Sequence, residues 1–348
     1  MSGSAARSAR HAVATSALAS LALLAGAASA EEVPRPSIAA PLAEQTTLVD
    51  ITRAGDGFVA VGQRGHILRS EDGRRWQQVI APHNAMLTRV RFRSADQGWA
   101  VGYDSTILVT ADGGRSWTLQ HWDPEGRALY DILFLSGGRL AAIGGYGTYL
   151  QSDDDGATWT EGDNPLVDLG YHLNAGTQLA DGTAVIVGER SLMARSKDNG
   201  DSWDLLDSPY EGSLFGLLPV DAHGVLVYGM RGNAYVADDA RLARTMDPDD
   251  FDPFEKQTVE DAEEVAAMGW RQLDTPTTES LFGGSLHRGR ALLVGVNGTA
   301  LRADPAGGAM KLLATPADET LGDVIWTGDQ WVAVGRRGVQ PLGDMGWK

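Results

Sequence analysis

The 348-residue chain contains no cysteine. Disulfides, zinc–thiolate centres, iron–sulfur clusters, a cysteine nucleophile and a lipid anchor at a cleavage-site cysteine are therefore excluded. Histidine is scarce, seven in all and scattered. No His-Glu-x-x-His, Gly-x-Ser-x-Gly or phosphate-loop pattern is present, so these hydrolase and nucleotide-binding signatures are missing. Beyond residue 30 no apolar run reaches the roughly 20 residues of a membrane-spanning helix. Basic residues are outnumbered, 29 against 46, for a net charge of −17. So acidic a chain repels nucleic acid and anionic lipid, and neither is an expected partner.

The N-terminus reads as a targeting segment. Arg7, Arg10 and His11 precede an Ala/Leu-rich stretch, Val13 to Gly26, and then Ala28-Ser29-Ala30. This is the pattern of a secretory signal peptide cut after Ala30, leaving residues 31–348 as the mature chain. The cut removes two arginines and no acid, so 27 basic residues then face 46 acidic ones, net −19. The expected location is outside the inner membrane, in the periplasm.

Glycine is abundant, 43 residues, without a collagen period, which implies many tight turns. A dipeptide recurs at Val61-Gly62, Val101-Gly102, Ile143-Gly144, Val187-Gly188, Tyr228-Gly229, Val294-Gly295 and Val334-Gly335. The spacing is about 40 residues, the length of a four-stranded propeller blade. Each unit opens on a leucine: Leu48, Leu87, Leu129, Leu173, Leu214, Leu281 and Leu321. Short apolar runs bounded by glycine turns follow, as in successive hairpins. The sequence predicts an all-β, seven-bladed propeller in one domain.

Four turns share a finer pattern: Ser70 to Trp76, Thr110 to Trp117, Ser152 to Trp159 and Ser196 to Trp203. They resemble the Asp-box, or bacterial neuraminidase repeat, Ser/Thr-x-Asp-x-Gly-x-Ser/Thr-Trp. Asp72, Asp112, Asp154 and Asp198 are expected to cap amides of their own turns. Trp76, Trp117, Trp159 and Trp203 are expected to be buried between blades. The role is structural, and neither a metal nor a cofactor is expected.

Two irregularities remain. The fifth unit carries an insertion, Ala240–Gly269, with three basic and nine acidic residues; the reading is a solvated surface insertion, with a docking element as the alternative and a helix expected between Phe254 and Met268. The C-terminus stops where a fourth strand should begin. Ser37-Ile38-Ala39-Ala40-Pro41 resembles Gln78-Val79-Ile80-Ala81-Pro82, so the N-terminal segment is predicted to complete the seventh blade beside Val339 and close the ring.

These turns, the signal peptide and the turns at Gln63-Arg64-Gly65, Met230-Arg231-Gly232 and Arg336-Arg337-Gly338 together resemble the photosystem II stability and assembly factor propellers, over essentially all of residues 33–348. The resemblance implies a non-catalytic lumenal or periplasmic protein that binds a membrane protein. In photosynthetic cells that is an early photosystem II reaction-centre subunit. In other bacteria it is a transporter of the resistance–nodulation–division type. The acidic insertion departs from the family pattern.

One residue per turn between second and third strands gives Arg64, Asp104, Tyr146, Arg190, Arg231, Asn297 and Arg337, with Arg336 beside the last. Four arginines in seven positions of an acidic protein suggest a partner-binding face, framed by His83, Trp122, His172 and Tyr210. Arginine also simply suits an exposed turn. The family uses an arginine-rich patch of this kind. Its partner would be an exposed loop or tail of a membrane protein, bound by a monomer peripheral to the membrane. The alternative is a sialidase-like or other glycoside hydrolase. That needs a carboxylate pair, and the repeat grammar places no isolated pair on the inner strands.

Overall fold

The computed structural model describes residues 33–307 and 309–347. The signal-peptide segment lies outside the described residues. Seven antiparallel sheets follow one another along the chain, six of four strands and a last of three. Within each, sequential strands pair in order, as in Leu48–Ala54, Gly57–Gly62, His66–Ser70 and Gln77–Ile80 of blade one. The first strands of neighbouring blades touch around a central channel. The seven-bladed propeller predicted from the repeat is the fold.

The recurring Val-Gly pair has a steric cause. A Cβ on Gly62 would stand 2.3 Å from the carbonyl oxygen of Thr47. The matching distances are 2.1 Å at Gly102, 1.9 Å at Gly295 and 2.3 Å at Gly335. Every second strand ends hard against the residue before its blade's opening leucine, and only glycine fits there. The leucine itself is buried: Leu48, Leu87, Leu129, Leu281 and Leu321 have no exposed surface. Among the described residues the apolar core consists of seven clusters, one between each pair of adjacent blades. Each blade is thus buried on both faces, and no single blade holds a core of its own.

The four predicted turns carry the predicted bonds. In the third, Ser152 Oγ donates to Asp154 Oδ1 at 2.8 Å, and Thr158 donates through N to Oδ1 and through Oγ1 to Oδ2, at 2.8 and 2.6 Å. Asp112 and Asp198 accept the same set, and Asp72 accepts the amides of Arg74 and Arg75. Gly73, Gly114, Gly156 and Gly200 take the left-handed backbone, φ 68° to 86°. Trp117 packs between blades one and two, and Trp203 between three and four, both buried; Trp76 and Trp159 are half-buried.

Two expectations are corrected. The N-terminal segment does not complete blade seven, whose third strand, Gly338–Gly343, has no fourth partner among the described residues. Ser37 N instead donates to Ala81 O at 2.9 Å, Ala81 N donates to Ser37 Oγ at 2.8 Å, and Gln78 bridges Ile38 O and Ala40 N. The segment lies along the outer edge of blade one. Pro34, Pro36 and Pro41 deprive it of the amides a full strand would need. The two similar sequences are neighbours, not equivalents. The ring closes through inner strands, Leu48–Ala54 against Leu321–Trp326, and through the apolar cluster that Val332 and Val334 of blade seven form with Leu48, Ala60 and Leu68 of blade one.

The insertion is docked rather than simply solvated. Arg244, Thr245 and Met246 run antiparallel to Leu205, Leu206 and Asp207, extending the outer edge of blade four. Arg195, 3% exposed, donates through Nη1 to the carbonyls of Ala240, Arg241 and Ala243 and through Nη2 to Asp204. Asp207 holds Arg244 and Lys256 at 2.6 and 2.7 Å. The helix is short, Ala262–Ala267, capped by Asp261.

Candidate functional site: the turn face and the channel beneath it

The turns between second and third strands put one residue per blade in an exposed position. Arg64, Tyr146, Arg231 and Asn297 sit at the centre of three-residue turns with φ of 54° to 57°. Asp104 and Arg190 share the left-handed backbone, at 55° and 49°. Six non-glycine residues at one turn position in a costly conformation mark a shared geometry. In blade seven the turn is one residue shorter, and Gly338 takes the positive φ instead, at 79°. In blades one, three, five and six the following glycine lets the turn press on the loop to the next blade: a Cβ on Gly65 would meet His83 O at 2.3 Å, and on Gly232 it would meet Thr277 O at 2.4 Å. Turn and inter-blade loop therefore share one face.

Arg64, Arg190, Arg231, Arg336 and Arg337 are all exposed. They are not equally free. Arg337 pairs with Asp318 at 2.8 Å and Glu319 at 3.5 Å; Arg336 lies 3.8 Å from Glu319 and Arg231 4.0 Å from Glu211. The guanidinium of Arg190 lies 4.6 Å from the ring centre of Phe254, an insertion residue. Arg64 has no ion pair among the described residues.

The framing residues divide. Tyr146 is 61% exposed, with Arg127 over its ring at 5.2 Å. His172 is half-buried beneath it, rings 4.7 Å apart, and accepts the Tyr146 amide at Nδ1. Trp122 is half-buried against His83. His83 and Tyr210 are buried, so neither frames the face. Burial holds His83 below the usual histidine range against the pull of Asp104. Tyr210 donates its hydroxyl to Met230 O at 3.0 Å and so supports the Arg231 turn from below. Their aromatic character suggested anchors; packing uses them as struts.

Beneath this face the channel holds a charge cluster that the repeat grammar missed. Asp50, Asp131 and Asp323 occupy the third position of their inner strands, within Leu48-Val49-Asp50, Leu129-Tyr130-Asp131 and Leu321-Gly322-Asp323. Each bonds the fourth-position amide of the next blade: Val90 N to Asp50 at 2.7 Å, Gly176 N to Asp131 at 3.0 Å, and Ile51 N to Asp323 at 3.4 Å. Arg89 bonds Asp50 at 2.9 Å, and Arg91 grips Asp131 with two bonds of 2.6 Å. The repeated Leu-x-Asp was the available signal. All three carboxylates are buried, and Asp50 and Asp323 line a cavity of about 170 Å³ together with Arg89 and Arg91. They staple blades together.

The fold is a seven-bladed β-propeller with one exposed turn residue per blade on a common face. It is similar to the photosystem II assembly factor propellers: residues 68–128 match the family described as "Photosynthesis system II assembly factor YCF48". No curated protein matches the chain in sequence. Among solved structures, "YCF48 bound to D1 peptide" is 17% identical with a TM-score of 0.61, over 88% of this chain and 96% of the other. YCF48 from Cyanidioschyzon merolae is 15% identical with a TM-score of 0.63, over 88% and 98%. The WD40 propeller domain of Doa1 is 11% identical with a TM-score of 0.60, over 88% and 95%. Identities this low establish the fold. Doa1 aligns about as well as YCF48, so the fold alone does not choose a partner.

Proposed function

We propose that this chain is a non-catalytic, secreted propeller that binds an exposed loop or tail of a membrane protein and assists assembly of its complex. The observation that carries this reading is the set of turn-face arginines, Arg64, Arg190, Arg231, Arg336 and Arg337, displayed on a scaffold with net charge −19 after cleavage. Arginine binds carboxylates bidentately and stacks on aromatics. The likeness to a propeller solved with D1 peptide supports a peptide partner from a membrane protein. In a photosynthetic cell the partner would be a photosystem II subunit; elsewhere the chain would be accessory to a membrane transporter. Localisation would be the thylakoid lumen or the periplasm accordingly. The inner-strand carboxylates do not favour a glycosidase, because each is buried and engaged by main-chain amides.

The test is capture of membrane protein from the native periplasm or lumen by wild type and by the Arg64→Glu/Arg337→Glu variant, with melting curves as the folding control. Loss of one membrane protein from the variant, at unchanged melting temperature, is expected. Equal recovery of the same protein by both removes the turn face as the binding site.

A further inference from the structure

The docked insertion builds a second surface, at the other end of blade five. The strand Ala234–Ala237 leads from the Arg231 turn to Asp238, so whatever surrounds Asp238 opens away from the arginine face. There the short helix and the outer strand Arg271–Gln272 bound a groove of about 550 Å³. Val236, Val265 and Trp270, all buried, form its apolar base. Leu242 stands at its lip, 75% exposed. The volume suits one or two large side chains and their backbone.

The rim is negative. Asp238 is 82% exposed at the side chain, and Glu260 is exposed. Asp261, Glu263 and Glu264 follow on the helix. None of the insertion's nine acids forms an ion pair among the described residues, whereas its three basic residues are all paired within the protein. The cation at the groove, Arg271, is engaged by the carbonyls of Pro305 and Gly307 at 2.6 and 2.7 Å and lies 3.5 Å from Asp238, whose charge it offsets in part, while Glu260 and the helix acids have no ion pair among the described residues. Acids that cap only their own turns, beside an exposed leucine on a surface anchored by buried Arg195, make a preformed complement to a positive, apolar ligand.

We propose that this groove docks a segment of a partner protein in which an apolar side chain is flanked by lysines or arginines. The apolar side chain displaces water from Leu242, Val265 and Trp270, and the flanking cations sit against Asp238, Glu260 and the helix acids. The site is separate from the arginine face and does not depend on it. One chain would then hold two opposite charge preferences, one at each end of blade five.

The probe is a synthetic 12-residue peptide with a central Leu-Phe pair between lysine triplets, measured by fluorescence anisotropy at low and moderate salt. Controls replace Leu-Phe by Ser-Ser, or the lysines by glutamates. Wild type is expected to bind the probe at least tenfold more tightly than either control. Leu242→Asp, at a position exposed enough to leave the fold intact, is expected to lose at least tenfold. The Asp238→Lys/Glu260→Lys variant is expected to weaken binding and flatten its salt dependence, while Arg64→Glu/Arg337→Glu leaves it unchanged. Equal binding of the Ser-Ser peptide, or equal binding by Leu242→Asp, reduces the effect to bulk charge and overturns the proposal. So does failure of wild type to bind. Self-association that disappears in Leu242→Asp, read by sedimentation, assigns the groove to a second copy of the chain and also overturns it.

Discussion

Asp50 and Asp323 meet in the central channel where the first blade closes on the last, and of the two Asp50 alone is in an ion pair among the described residues. Arg89 bonds Asp50 at 2.9 Å, and Arg91 is committed to Asp131. Asp323 accepts from the main chain, Gly284 N at 3.0 Å and Ile51 N at 3.4 Å, and is hydrogen-bonded to the Asp50 carboxyl beside it. Burial, and then the charge of Asp50, hold the Asp323 carboxyl well above the usual carboxylate range, against the pull of Arg89.

A seam closed this way responds to pH. A carboxyl whose folded pKa is raised adds stability below its unfolded value and loses it as pH rises through the folded pKa. Asp323→Asn supplies a permanent neutral donor toward Asp50. The variant is expected to match wild type near pH 4 and to melt at an equal or higher temperature at pH 8. A lower melting temperature at pH 8 shows that an ionised Asp323 is required there.

The turns respond in the opposite sense. Hydrogen bonds from Thr158, side chain first, and then from Ser152 pull Asp154 down to about 2. Its contribution is present above the ordinary value of 3.8 and fades as pH falls toward 2. Wild type and Asp154→Asn should therefore differ at pH 7 and converge between about pH 4 and pH 2. A constant gap across that range refutes the assignment.

Tryptophan burial grades the cost of truncation. Trp117 and Trp203, 6% and 4% exposed, each fill an inter-blade gap, and their replacement by alanine is expected to cost about 3–5 kcal/mol. Half-buried Trp76 and Trp159 should cost less. Denaturant titration of the four variants checks the order, and equal losses would undo it.

Arg195 should govern the insertion. Arg195→Ala strands the carbonyls of Ala240, Arg241 and Ala243, at about 1–3 kcal/mol for each group left buried. Proteolysis is expected to nick residues 240–269 first in this variant, before the ring unfolds. An unchanged cleavage pattern would mean that the ion pairs of Asp207 suffice.

Removing residues 34–41 uncovers the outer edge of blade one and takes Ala40 from the rim of the cluster between blades one and seven. A modest fall in melting temperature with the ring intact is expected, since the closure runs through inner strands. Global unfolding of the truncated chain would restore the strand-closure scheme.

Blade number, strand order and turn chemistry were legible because each is local and repeated. The Val-Gly pair records a steric contact made within one blade, and the Asp-turn-Trp unit bonds mostly to itself. The exposed turn residues were legible for the same reason, as they follow from position in the repeat. What failed was anything decided between segments distant in sequence. Ser37–Ala40 looked like an outer strand, and became a neighbour of one because prolines removed its amides. Tyr210 and His83 looked like anchors, and whether an aromatic faces solvent depends on what packs above it. Asp50 and Asp323 are separated by nearly the whole propeller and meet only when the ring closes. The sequence determined seven blades and their turns, because those rest on neighbours along the chain. Only the tertiary structure decided the seam, the channel charges and the course of the insertion, because burial and pairing there are set by blades that the chain brings together last in space.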